Sequence, residues 1–268
     1  IEELASKVMT RPYRVVAKDQ HDTNTIRQLL CRIQDKSKRT DGLVGLFQKF
    51  NPGSALVFCN TKQLTEDVTL ELRSRGFSSK ALHGDMEQRD RTKTLIKFAN
   101  KSLSILIATD VAARGLDIDS LDLVVNYHLS RDPEVHTHRI GRTGRAGNSG
   151  LACSLFHESE EYKIEILEKT LGHPIERTVI DSLETDIVPA QPSMATLRIE
   201  GGKKQKIRPG DILGSLTRED GIDASDVGRI NILDKSAFVA IKRHSIKKAL
   251  DVLSNGKIKG RNFRTRKI

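Results

Sequence analysis

The chain is poor in the residues from which several protein classes are built. It has three cysteines in 268 residues, Cys31, Cys59 and Cys153, widely spaced, with no Cys-x-x-Cys pair and no histidine cluster. That excludes a disulfide framework and gives no sign of a structural zinc site. Three reduced, buried thiols are expected, which fits a cytoplasmic location. No run of about 18 apolar residues occurs, so no membrane span is expected. The N-terminus also lacks the basic, apolar, small-residue order of a secretory signal. No Gly-x4-Gly-Lys-Ser/Thr string is found, and Gly201-Gly202-Lys203-Lys204 does not approach one. A phosphate-cradling loop of that type therefore has no counterpart here.

What is present is a 37 % hydrophobic, 30 % charged chain, long enough for one large domain or two ordinary ones. Its net charge of +10 is unevenly placed. Residues 1–193 hold 27 basic and 27 acidic side chains, and residues 194–268 hold 18 and 8. The whole excess lies in the last 75 residues, an electrostatic footprint expected of nucleic-acid binding rather than of a merely soluble surface.

Helical and strand periods alternate through the first two thirds. Residues 55–59, 103–109 and 121–127 are short apolar runs, as strands of a buried parallel sheet should be. Helical spacing covers 62–76, 88–98, a segment opening at 132–139, and the stretch after Phe156 through 171. Such alternation implies βαβ units and a parallel sheet covered on both faces. Ahead of it, residues 1–9 read as a helix and 13–16 as a strand, followed by a polar connector over 17–25. Residues 26–33 and 41–50 open the lobe. Residues 184–193 contain Pro189 and Pro192 without periodicity and read as a linker. Beyond them the order is strand (196–199), helix (208–216), strand (229–233), strand (237–241), helix (245–253), strand (261–266). That βαββαβ order describes a small α+β domain with the arrangement of an RNA-recognition motif (RRM).

The densest signal is His138-Arg139-Ile140-Gly141-Arg142-Thr143-Gly144-Arg145-Ala146-Gly147, three arginines at spacings of three among glycines. Planar guanidinium groups suit the negative charge that develops in phosphoryl transfer. This string resembles motif VI of the DEAD-box helicases. Three further blocks arrive in that family's order: residues 55–62 resemble motif IV, 83–91 motif IVa and 108–118 motif V. Together they cover 53–156. The resemblance implies a RecA-like second motor lobe over 17–183 and a remnant of the first lobe over 1–16.

Roles follow from the resemblance. Arg145 matches the arginine finger and Arg142 a second γ-phosphate contact, the two catalytic candidates. Asp117 matches a carboxylate that contacts the ATP ribose, and His138 and Arg139 match groups that sense the other lobe. Thr61, Gln88, Arg91, Thr109 and Gly115 match positions along the RNA backbone path. A hydroxyl, an arginine and backbone amides suit phosphate oxygens without sequence preference. ATP and Mg²⁺ are the implied cofactors of the complete enzyme. The Asp-Glu-Ala-Asp string that would hold Mg²⁺ is absent, so this chain alone is expected to bind neither strongly and to hydrolyse no ATP. The first RecA-like lobe is the implied partner.

The last 75 residues resemble the DbpA-type RNA-binding domain, carried by 201–204, 207–214 and 256–264. That implies binding to a hairpin of 23S rRNA in the assembling large ribosomal subunit. Phe238 and Phe263 are its only aromatics, too few for the base-stacking platforms of a typical RRM. The expected contact surface is therefore cationic: Lys203, Lys204, Arg208, Lys242, Arg243, Lys257, Lys259, Arg261, Arg264 and Arg266. Two other readings are a stand-alone RNA-binding module and a DNA helicase of a related superfamily. The DbpA-type tail argues against the second.

Overall fold

A computed structural model describes residues 26–114, 121–144, 149–180 and 188–268. The expected remnant over 1–16 and residues 184–187 of the expected linker lie outside the described residues, as do Gly115, Asp117 and Arg145.

The lobe is built on seven parallel strands: β1 (Ile26–Ile33), β2 (Ala55–Phe58), β3 (Ser79–Leu82), β4 (Ile105–Ala108), β5 (Leu123–Asn126), β6 (Gly150–His157) and β7 (Glu176–Val179), in the order β3-β4-β2-β5-β6-β1-β7. Helices α1 (Arg39–Phe50), α2 (Lys62–Ser74), α3 (Gln88–Ala99), the single turn α4 (Asp110–Ala113), α5 (Pro133–Ile140) and α6 (Glu161–Leu171) supply the crossovers. β2, β4 and β5 are buried along their whole length, which is why they read as unbroken apolar runs. One core packs Leu29, Leu46, Val57, Ile107 and Val125 on one face of the sheet, and a second packs Leu56, Phe58, Leu106, Val124 and Ile140 on the other.

The second sheet is antiparallel: β8 (Met194–Ile199), β9 (Val227–Ile232), β10 (Ala237–Lys242) and β11 (Thr265–Lys267), in the order β11-β8-β10-β9. Helices α7 (Pro209–Leu216) and α8 (Ile246–Asn255) cover one face over a core of Leu197, Ile199, Val239, Ile241, Ile212 and Leu253. The βαββαβ order is as the sequence suggests, but the last strand is shorter than the expected 261–266. Ile258 and Arg261 instead bond each other across a tight turn that Lys259 and Gly260 enter with positive φ.

Alternation puts Thr196, Phe238 and Ala240 on the sheet face away from the helices, and all three are buried. Thr196 meets the lobe there: its Oγ1 lies 2.7 Å from Ser102 Oγ and accepts from Asn100 Nδ2 at 3.3 Å, and Met194 N donates to Lys101 O at 3.3 Å.

Candidate nucleotide and RNA site

In a parallel sheet, ligand-binding residues collect at the carboxyl ends of the strands. Here those ends carry Asn60 and Thr61 after β2, Thr109 and Asp110 after β4, and His128 shortly after β5. Arg139, on α5, ties them together. Asp132 caps α5 by accepting from Glu134 N at 2.9 Å, and Pro133 opens its first turn. In the last turn of the helix, Arg139 is 3 % exposed. Its Nε and Nη2 donate to Asp110 at 2.6 and 2.8 Å, and its Nη1 donates to Asn126 Oδ1 at 3.1 Å and to His128 O at 3.0 Å. The guanidinium also sits 5.2 Å from the centre of the Phe58 ring. A bidentate fork on a carboxylate fixes both angle and distance.

The sequence places Arg139 among the groups facing a partner lobe. In the structure its guanidinium is spent inside the lobe, bolting the motif VI helix to the motif V turn. His138, its neighbour, is exposed. Arg142 is half-buried and lines a cleft with Phe58, Asp110, Ala113, Arg114 and His138.

Beneath this network His136 is 3 % exposed, with Nε2 3.0 Å from Gln28 Oε1 and Nδ1 near Asn126 Nδ2. Burial, and secondarily Arg139, lowers its pKa to about 4. It is a neutral structural imidazole. Burial likewise pushes the Cys59 thiol up to about 12, and all three cysteines are buried and free, as the sequence leads one to expect. Gly144 of motif VI takes a positive φ, which favours glycine, and its backbone passes so close to Gly150 that a Cβ on Gly150 would strike Gly144 N.

Four of the expected RNA-path residues are described, and Thr61 and Thr109 follow strands β2 and β4, which pair in the sheet. Gln88 opens α3 and is exposed, and Arg91 Nη2 donates to Ala112 O at 3.0 Å, joining α3 to α4. Thr61 is exposed but already caps α2, accepting from Leu64 N at 3.2 Å. Thr109 N donates to Leu82 O at 3.3 Å.

In the second domain the expected cationic contacts separate. Lys203, Lys204 and Arg208 lie on one loop, where Lys203 N and Lys204 N each donate at 2.9 Å to the β9–β10 turn. Gly202 allows that approach, because a Cβ would run into Leu233 O. Lys259 Nζ donates to Lys206 O at 3.0 Å, drawing Lys257, Lys259 and Arg261 against the same loop. Lys242 is elsewhere, 3.1 Å from Asp226, whose carboxylate Ser245 first and then Lys242 hold down to about 2. Arg243 donates to Pro192 O at 2.5 Å, and Arg266 lies 4.0 Å from Glu200. Phe263 packs on the core and Phe238 is 5 % exposed, so neither is an open stacking surface.

Residues 36–147 match the model of the helicase conserved C-terminal domain, and residues 196–267 match that of the DbpA RNA-binding domain. The chain belongs to the DbpA-type DEAD-box helicase family. It is 47 % identical over 229 residues to the ATP-dependent RNA helicase DbpA of Escherichia coli, covering 84 % of this chain and 50 % of that one. It is 31 % identical to DbpA of Bacillus subtilis, over all of this chain and 60 % of that one. The DbpA-type chain thus spans half to three fifths of these relatives. Its fold resembles Saccharomyces cerevisiae Dbp5 bound to RNA and ADP BeF3, with a TM-score of 0.61 and 29 % identity, over 67 % of this chain and 48 % of that one. Among the described residues no helix is long and apolar enough to cross a membrane.

Proposed function

We propose that this chain is the second motor lobe and RNA-binding domain of an ATP-dependent RNA helicase. ATP is the substrate, held between this lobe and a first RecA-like lobe, with Arg142 and Arg145 directed at the γ-phosphate. Among the described residues no group of three or more His, Cys, Asp or Glu could hold a metal. By the family resemblance, carboxylates for Mg²⁺ would come from the first lobe. Bound there, the ion would neutralise charge on the phosphates. The observation that carries the reading is the Arg139–Asp110 fork, which fixes α5 so that His138 and Arg142 reach the mouth of one cleft. RNA backbone would cross Thr61, Gln88, Arg91, Thr109 and Gly115. The second domain would anchor the motor on structured RNA, a 23S rRNA hairpin in large-subunit assembly, while the lobes disrupt a neighbouring duplex.

The test is RNA-stimulated ATP turnover by the full-length enzyme and by this chain. The first should turn over and the second should not; turnover by this chain alone would end the proposal. Specific RNA affinity should remain in residues 194–268 when the lobe is deleted. With about four to six phosphate contacts, log affinity should fall with log salt at a slope of roughly −3 to −5.

A further inference from the structure

Helix α3 carries cations that the nucleotide cleft and the RNA path leave unused. Arg89, Lys93 and Lys97 are four residues apart, so they share one face. They span about 12 Å of helix. The stripe starts beside Gln88 and Arg91 and ends where the second domain sits. Ser102 Oγ donates to Lys97 O at 3.0 Å and lies 2.7 Å from Thr196 Oγ1. Thr196 O accepts from Ile268 N at 3.0 Å, next to Lys267. Lys97 and Lys267 therefore stand on opposite sides of one seam.

Arg73, near the end of α2, and Lys80, on the edge strand β3, complete the group, and both are exposed. Among the described residues no ion pair involves Arg73, Lys80, Lys93, Lys97 or Lys267. Lys97 is half-buried, and burial first, then the charges of Lys80, Lys93, Arg73 and Lys267, hold its ammonium below the usual lysine range. Like charges gathered without a counter-charge repel one another and call for an external anion.

We propose that this seam is a further RNA site, where the phosphate backbone of a duplex arm lies across Lys93, Lys97 and Lys267 between the motor's RNA path and the second domain. It rests on the reading of the chain as an RNA-binding motor. Ammonium groups bind phosphate as point charges. Sites for single strands pair a basic groove with aromatic stacking, and none of these five cations has an aromatic partner. Duplex RNA is held mostly by shape and by phosphate and 2′-OH contacts, without stacking on aromatic side chains. The seam would thereby couple the two domains through the RNA they share.

The whole 268-residue chain should be titrated with a blunt RNA duplex and with a single strand of equal length, at several salt concentrations. The triple variant K93Q/K97Q/K267Q should bind the duplex about tenfold more weakly at low salt, with the slope of log affinity against log salt reduced by about 2–3. Single-strand affinity should change far less, and the triple Lys→Arg variant should restore duplex binding. The Gln variant should unfold no earlier than wild type, since repulsion is relieved; earlier unfolding would make these cations structural and overturn the site. Unchanged duplex affinity and slope in a folded variant would also overturn it while leaving the RNA-binding reading intact. A wild-type chain that ignores both RNAs would remove that reading as well.

Discussion

The two sheets use arginine and lysine in opposite ways. In the parallel lobe, where charge is balanced, the decisive cations are buried and held in fixed geometry. Arg39, 4 % exposed, donates to Tyr127 O, Leu155 O and Glu160, and Arg139 donates to Asp110, Asn126 and His128 O. In the antiparallel domain Lys203, Lys204, Arg208, Lys257 and Arg261 are exposed on loops whose backbone, rather than side chains, is pinned. The lobe therefore depends on single irreplaceable groups. The domain depends on a sum of similar ones, and each class should fail in its own manner.

The largest effect should come from the lobe. In the full-length enzyme Arg145→Ala should reduce RNA-stimulated turnover by roughly 10³ or more, the scale found for arginine fingers. Affinity of the second domain for RNA should not change. Near-normal turnover would take Arg145 out of the γ-phosphate role.

Next is the fork itself. Arg139→Ala leaves Asp110, whose side chain is 30 % exposed, without its partner and removes the bonds to Asn126 and His128 O, and should destabilise the lobe by about 2 kcal/mol. Arg139→Lys keeps the charge but not the planar fork, and should recover only part of that. Denaturant unfolding should show the lobe transition moving and the second domain's transition staying in place. A common shift of both would mean that the seam makes one cooperative unit of them.

Much of this contrast is legible in the sequence, and the exceptions have physical reasons. β2, β4 and β5 stand out because both faces are buried. β7 does not, since Glu176, Arg177 and Val179 are exposed on an edge strand and carry no apolar pattern. β3 is four residues long with exposed Lys80, too short for a period to emerge. β6 is missed as well, although Leu151, Ala152, Cys153, Leu155 and Phe156 lie in one apolar run. The candidate cleft was visible as motifs, but the Arg139–Asp110 pairing spans 29 residues and only the fold brings it together. The same limit applies to the cationic surface, where spacing could not separate Lys242 from the loop residues.

The pH response should separate the two regions by a smaller margin. Burial lowers the pKa values of His128 and His136, both in the lobe, to about 4. An unfolded histidine titrates near about 6.5, so the unfolded chain takes up protons first as pH falls. Lobe stability should thus be full above about 6.5 and decline as pH drops towards about 4, by on the order of 2–3 kcal/mol for buried His136 and by less for half-buried His128. The second domain's lowered carboxylates, Asp223 and Asp226, act only at lower pH, with Asp226 at about 2. Melting at stepped pH should show the lobe failing first, and His136→Gln should flatten its decline.

The smallest effect tests whether the cationic surface is a sum at all. Lys242 is 3.1 Å from Asp226, which also takes bonds from His244 and Ser245. Its charge is largely answered within the protein, and a phosphate reaching it would also meet the Asp226 carboxylate. Lys204, exposed on the loop held to the β9–β10 turn, has no ion pair among the described residues. Lys204→Gln should therefore remove one phosphate's share of the salt slope, about 0.7–0.9. Lys242→Gln should leave slope and affinity nearly unchanged while lowering stability by at most about 1 kcal/mol, the scale of a partly exposed pair. Titrating both variants of the whole chain with one rRNA hairpin across salt concentrations decides it. Equal losses would show that the domain reads RNA over its entire basic surface. A loss confined to Lys204 would place the contact on the loops that Gly202 and Lys259 bring together.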